Sequence, residues 1–171
     1  MKITTFAIKV WRWMSLALVL GALAWTYSLF PDQVAVDFTE SGLAERYVSK
    51  EHIFYIVMGI FLINNVGLAG LARPLPKVNP IHLPIFKKKV WAQYPEQLGE
   101  HLVNWLYCLV AVINTITGFS LFALATINSS QYKLDVFDFS WVFYLGVALL
   151  IGVFLLPFGL LWTPVPDDKL E

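Results

Sequence analysis

The sequence predicts an all-α integral membrane protein of four transmembrane helices, with both termini cytoplasmic and a short structured cap between the first two spans. Three observations carry this. Apolar side chains make up 58% of the 171 residues and charged ones only 14%, against about 25% charged in ordinary soluble domains. Four stretches, 10–30, 53–72, 102–127 and 139–162, have the roughly 20 mainly apolar residues needed to cross about 30 Å of hydrocarbon. Lys and Arg, which resist translocation, then divide unevenly: nine fall before or at the very start of the first span, between the second and third, or after the fourth, and three fall in the other two loops. Residues 1–171 therefore read as one membrane domain.

Lys2, Lys9 and Arg12 precede the apolar core of the first span, whose Ala22-Leu23-Ala24 resembles a signal-peptide cleavage site. Its apolar run continues through Trp25 to Phe30, too long for a signal-peptide core, so a retained helix is expected. The interval 31–51 follows, on the outer side by the charge count. Val34, Val36 and Phe38 alternate there with Gln33, Ala35 and Asp37, the period-two pattern of a short strand with one apolar face. Ser41-Gly42 marks a turn. Ser49 is placed to cap the second helix, with Glu51 in its first turn, where a negative charge suits the helix dipole.

The inner loop, 73–100, carries Pro74, Pro76, Pro80 and Pro84, spaced so that no regular helix runs through them. Tyr94-Pro95-Glu96 then starts the third helix about two turns before the membrane, because proline needs no amide partner in a first turn. Pro157 and Gly159 predict a bend near the inner end of the fourth span. Aromatic rings settle at headgroup depth. Trp11, Trp13, Trp91, Tyr94, Trp105 and Trp162 are accordingly expected near the inner interface, and Tyr27, Phe54, Tyr55, Tyr132 and Trp141 near the outer one. Gly67, Gly70 and Gly118 offer small faces for close helix approach.

Several chemistries are excluded. Net charge is zero and no Arg-rich helix is present, which argues against nucleic acid. A single cysteine, Cys108, excludes an internal disulfide and dithiol redox chemistry. Inward of Arg12, no span carries an ionisable side chain at membrane depth, so a pump or ion-coupled transporter is not expected. His52 and His101 begin helices at opposite faces, about 30 Å apart, and cannot share an iron; His82 and His101 lack zinc-ligand spacing. No nucleophile constellation or phosphate-cradling glycine loop is present, so neither an enzyme, a cofactor nor a metal is expected.

The polar residues that remain are few. Asn64 and Asn65 lie mid-span opposite Asn114, where an interhelical amide bond contributes on the order of 1 kcal/mol. Neighbours on an α-helix point about 100° apart, so the two are not expected to face one partner squarely. Lys87, Lys88 and Lys89 suit anionic headgroups and membrane lipids generally. In the cap, Asp32, Asp37, Glu40, Glu45 and Glu51 outnumber Arg46 and Lys50, a set that could hold a cation or a basic peptide.

Pro31-Asp32, Val36-Asp37-Phe38, Gly42 and Ser49-Lys50, continued by Asn79-Pro80 and Trp91, resemble a bacterial membrane domain found at the N-terminal part of SdpI-type immunity proteins. The resemblance covers roughly the first hundred residues. It implies a bacterial cytoplasmic membrane and a strand-turn cap, with Asp32, Asp37, Phe38, Glu40, Gly42 and Lys50 as candidate contacts for a secreted peptide. Asp37 stands where the family has histidine, Ala35 where it has proline, and Ala44-Glu45 where it has Pro-Asp, so the family histidine's role does not transfer. The expectation is a non-enzymatic accessory subunit of a larger membrane complex, with other membrane subunits as partners. An SdpI-like peptide receptor is the alternative, and a carrier for a small apolar molecule a third.

Overall fold

A computed structural model describes residues 3–83, 88–129 and 136–160. Within them, Ile3–Leu29, Lys50–Lys77, Pro95–Asn128 and Val136–Pro157 are long and apolar enough to cross a membrane. Helix α1 (Ile3–Leu29) leads into strands β1 (Gln33–Phe38) and β2 (Ala44–Ser49). Then come α2 (Lys50–Leu62), a π turn (Ile63–Leu68), the short α3 (Ala69–Leu71), and 3-10 turns at Leu75–Lys77 and Pro80–His82. Helix α4 (Lys88–Trp91) precedes α5 (Pro95–Asn128), and a 3-10 turn at Val136–Phe139 introduces α6 (Ser140–Leu160).

Helix α5 is the axis. Its apolar stretch is 50% buried, against 17%, 22% and 11% for the other three, in chain order. Each of the others packs on α5 more than on its remaining neighbours. At the cap end Leu23, Phe30, Val34, Ile53, Val57, Leu121 and Ala125 form one buried cluster joining α1, β1, α2 and α5. Along the other seam Cys108 and Val112 of α5 pack with Val153 of α6, and the Trp105 indole donates to the Val153 carbonyl at 2.8 Å. That bond reaches α6 four residues before Pro157, whose nitrogen carries no proton to donate to the same carbonyl. Helix α6 continues over Pro157 to Leu160.

Several boundaries move. The first helix begins at Ile3, not 10, because Thr5 is held by the second polar end of the bundle: its hydroxyl donates to Glu100 at 2.7 Å and accepts from Asn104 at 2.9 Å. The second helix begins at Lys50, three residues before the expected span and directly after Ser49 as its cap signal requires, the Ser49 hydroxyl accepting from the His52 amide at 3.4 Å. The third starts at Pro95, as the Tyr94-Pro95-Glu96 signal requires, and runs to Asn128. Its backbone passes close to the loop between the second and third spans at Gly99, where an added Cβ would lie 3.0 Å from the Pro76 Cα.

The cap is a two-stranded antiparallel hairpin, where one strand and a turn were expected. Gly42 takes φ 80° in the turn, a left-handed conformation that glycine adopts without cost. Thr39 closes that turn through its backbone, and its hydroxyl accepts from the Leu43 amide at 3.0 Å. The expected alternation of Val34, Val36 and Phe38 holds only at its start. Val34 and Ala35 are both buried, while Val36 and Phe38 are half-buried. The cause is an irregular register between Ala35 and Phe38, where a bulge shifts the side-chain alternation.

Two other expectations change. Trp91 does not sit at a lipid interface: it is wholly buried, with the His101 ring edge-on at 6.0 Å. Trp11 also has an internal partner, its indole donating to Thr115 at 3.2 Å. Indole donors in a thin bundle are satisfied by neighbouring helices as readily as by headgroups. Tyr132 and Trp162 lie outside the described residues.

Candidate functional site

Directly after α2, midway along the second span, the helix widens into the π turn Ile63–Leu68, in which the Ala69 amide bonds the Asn64 carbonyl five residues back. A π turn spreads its residues over a wider ring than the 3.6 per turn of an α-helix, so neighbours diverge by less than about 100°. This overturns the expectation that Asn64 and Asn65 cannot both face Asn114. Both side-chain amides donate to Asn114 Oδ1 at 2.9 Å. Asn114 Nδ2 returns a 2.9 Å bond to Asn65 Oδ1. Asn64 also donates to the Val110 carbonyl at 2.9 Å, and Asn65 to Phe61 at 3.1 Å.

The three amides thus form a nearly closed polar layer, with Asn64 2% and Asn114 1% exposed. One acceptor is left over: Asn64 Oδ1 is buried and has no partner. Turning that amide over would set its oxygen against the Val110 carbonyl, so the assignment follows from the surroundings. Chemically the layer carries no charge and no nucleophile. It joins the π turn to α5 and keeps one lone pair in reserve.

The cap has its own polar anchor, which the sequence did not reveal. Asn128, the last residue of α5, accepts from the Ala35 amide at 2.7 Å and donates to the Ala35 carbonyl at 3.0 Å, with a further bond to Leu124 at 3.0 Å. The side-chain amide thereby satisfies a peptide group of β1 that points away from β2. Asparagine at a helix end ordinarily reads as a local cap or turn residue, and nothing in its spacing points 93 residues back along the chain.

The remaining cap candidates are dispersed. Asp32 and Lys50 form an ion pair at 2.8 Å, reinforced by the Lys50 amide on the Asp32 carbonyl at 3.3 Å. The Lys50 ammonium holds the Asp32 carboxyl below its usual range. Asp37 accepts from the Phe38 amide at 3.1 Å and is exposed, as are Glu40, Glu45 and Glu51. Gly42 serves the turn. Among the described residues no group of three or more His, Cys, Asp or Glu is placed to hold a metal ion. A cavity of about 620 Å³ lies between the hairpin and the end of α5, lined by Gln33, Phe38, Leu43, Tyr47 and Asn128 among others.

His52 Nδ1 lies 2.8 Å from the Ser49 hydroxyl, at the cap end, and His101 lies near Trp91 at the other. Of the lysine run, Lys89 is exposed, Lys88 opens α4, and Lys87 lies outside the described residues. No protein-family model, curated protein or solved structure matches the chain.

Proposed function

We propose that this chain is a non-catalytic subunit that lends helices to a larger assembly in a bacterial cytoplasmic membrane, its termini inside and its hairpin cap outside. The carrying observation is how its helical glycines divide. Gly118 is filled by Leu18, Gly99 by Pro76 and Gly146 by Ile116. Five have nothing within 4 Å: Gly21 on α1 and Gly152 on α6 stand singly, whereas Gly59, Gly67 and Gly70 all lie on the second span. Beside them Ile56, Ile63 and Val66 are 59%, 69% and 65% exposed. Small residues flanked by β-branched ones let helix backbones approach closely in lipid, where packing rather than hydrophobicity drives association. The occupant that fits is a transmembrane helix of another subunit.

The asparagine layer supports the same reading, because its amides are spent on each other and hold the π turn that presents Gly67. Purification at native expression in mild detergent tests it. A co-eluting membrane protein is expected; a monodisperse monomer that crosses the column alone overturns it.

A second reading, an SdpI-like receptor for a secreted peptide, is favoured by the hairpin's open edge. Among the described residues β2 pairs only with β1, and Glu45, Arg46 and Tyr47 are exposed along it. An extended peptide could add there as a third strand. Unchanged sensitivity to envelope-active peptides on deletion of the gene would remove this reading.

A further inference from the structure

Of the two described cations within α1, Lys9 and Arg12, Arg12 lies the deeper inside the apolar helix. From Leu29, the cap end of α1, back to Arg12 is about 25 Å of helix at 1.5 Å per residue. If the hydrocarbon begins where α1 meets the cap, its far boundary falls some 5 Å beyond Arg12, since the apolar core is about 30 Å thick. The guanidinium thus reaches the border between acyl chains and phosphates, as long basic side chains do when they snorkel.

Its surroundings are aromatic and without an acceptor. The Arg12 Cζ sits 4.3 Å from the centroid of the Tyr107 ring on α5 and 6.0 Å from that of Trp13 on its own helix. Among the described residues no carboxylate, carbonyl or hydroxyl accepts from Arg12. The Tyr107 hydroxyl and the Trp13 indole have no described partner either, and Trp13 is 66% exposed. A half-buried guanidinium therefore stands with its donors unspent, and two further donors belong to the rings beside it. At the edge of a hydrocarbon layer such a charge requires a counter-charge.

Helix packing leaves a way in. The contacts between α1 and α2 gather at the cap end, where Tyr27 meets Phe54 edge-on at 5.4 Å and Leu23 shares a cluster with Ile53 and Val57. Arg12 lies more than two turns beyond that cluster, near the other end of α1.

We propose that Arg12, with Tyr107 and Trp13, binds the phosphodiester of a membrane glycerophospholipid in the leaflet opposite the cap. A planar guanidinium pairs two phosphate oxygens at once, and the Tyr107 face holds its plane from behind. The rings keep the charge oriented. The phosphate neutralises it. This site is independent of the subunit reading, since it concerns a lipid and another part of the bundle.

Native mass spectrometry of the detergent-purified full chain tests the proposal, with phosphatidylglycerol, phosphatidylethanolamine or inorganic phosphate as the added probe. One phospholipid is expected to survive delipidation on the unaltered chain. Arg12→Ala should lower its occupancy roughly fivefold, the equivalent of about 1 kcal/mol for one basic side chain near a charged leaflet. Arg12→Lys should fall between, since an ammonium keeps the charge and loses the bidentate geometry. Lys9→Ala, which removes a neighbouring charge but not the site, should retain the lipid. Circular dichroism melting of each variant separates loss of lipid from loss of fold. Equal lipid occupancy in folded Arg12→Ala overturns the proposal. So does competition by inorganic phosphate at the concentration of lipid, which would make this a site for free phosphate.

Discussion

Asn65 and Asn114 exchange two 2.9 Å hydrogen bonds, each side chain donating to the other across the seam between the π turn and α5. Asn114 is the shared member, because Asn64 bonds the same oxygen. Replacing it with leucine removes three interhelical bonds, leaves Asn65 Oδ1 without its partner, and leaves Asn64 and Asn65 only their bonds to the Val110 and Phe61 carbonyls. Asn114→Leu is expected to destabilise the bundle by about 2 kcal/mol, at roughly 0.6 to 1 kcal/mol per membrane hydrogen bond. Unfolding in a graded series of denaturing detergent measures this. An unchanged midpoint would show that the layer does not hold the helices together.

The cap should loosen when its clip is removed. Asn128→Ala deprives the Ala35 peptide of both partners, and an unpaired buried peptide group costs about 1 to 3 kcal/mol. Hydrogen exchange over Gln33–Phe38 is expected to quicken while that of α5 stays slow. Uniform change in both would mean that the hairpin and the bundle unfold together.

The glycines should respond in opposite ways. A Cβ at Gly118 would lie 2.8 Å from Leu18 Cγ and 3.1 Å from its Cδ2. Gly118→Ala is expected to cost about 1 to 3 kcal/mol by overpacking, and Leu18→Ala in the same chain to recover part of it. Gly67→Ala, with open space before it, should leave the isolated chain's thermal midpoint unchanged or slightly raised.

Acidification should act on the hinge of the cap. The Lys50 ammonium lowers the carboxyl of Asp32 in the folded chain, relative to an unfolded value of about 3.9. The pair's contribution is therefore complete above that unfolded value and is lost as pH falls through the lower folded one. Both groups face solvent, so salt should weaken the effect. Hydrogen exchange of the Lys50 amide, which bonds the Asp32 carbonyl, should rise below about pH 4 relative to Asp32→Asn, which lacks the charge.

What the residues disclosed, and what they hid, has a physical pattern. Span existence is a matter of apolar length, and local caps such as Ser49 and Tyr94-Pro95 speak through their immediate neighbours, so both were legible. Strand β2 was not, because Ala44–Ser49 exposes Glu45, Arg46 and Tyr47 in succession and shows no alternation. The π turn was hidden for a different reason. One widened turn leaves no period in the sequence, and its cause lies partly in Asn114, 49 residues away. Asn128 and Trp91 were misplaced or missed because each is defined by a distant partner.

The subunit reading meets its most direct test at Gly67. A cysteine placed there, beside a native Cys108 that is buried, gives one accessible intramembrane thiol for cross-linking in native membranes. The expected result is an adduct whose second polypeptide is a different membrane protein. Recovery of the chain alone, or joined only to its own copy, would contradict the proposal that this face belongs to another subunit.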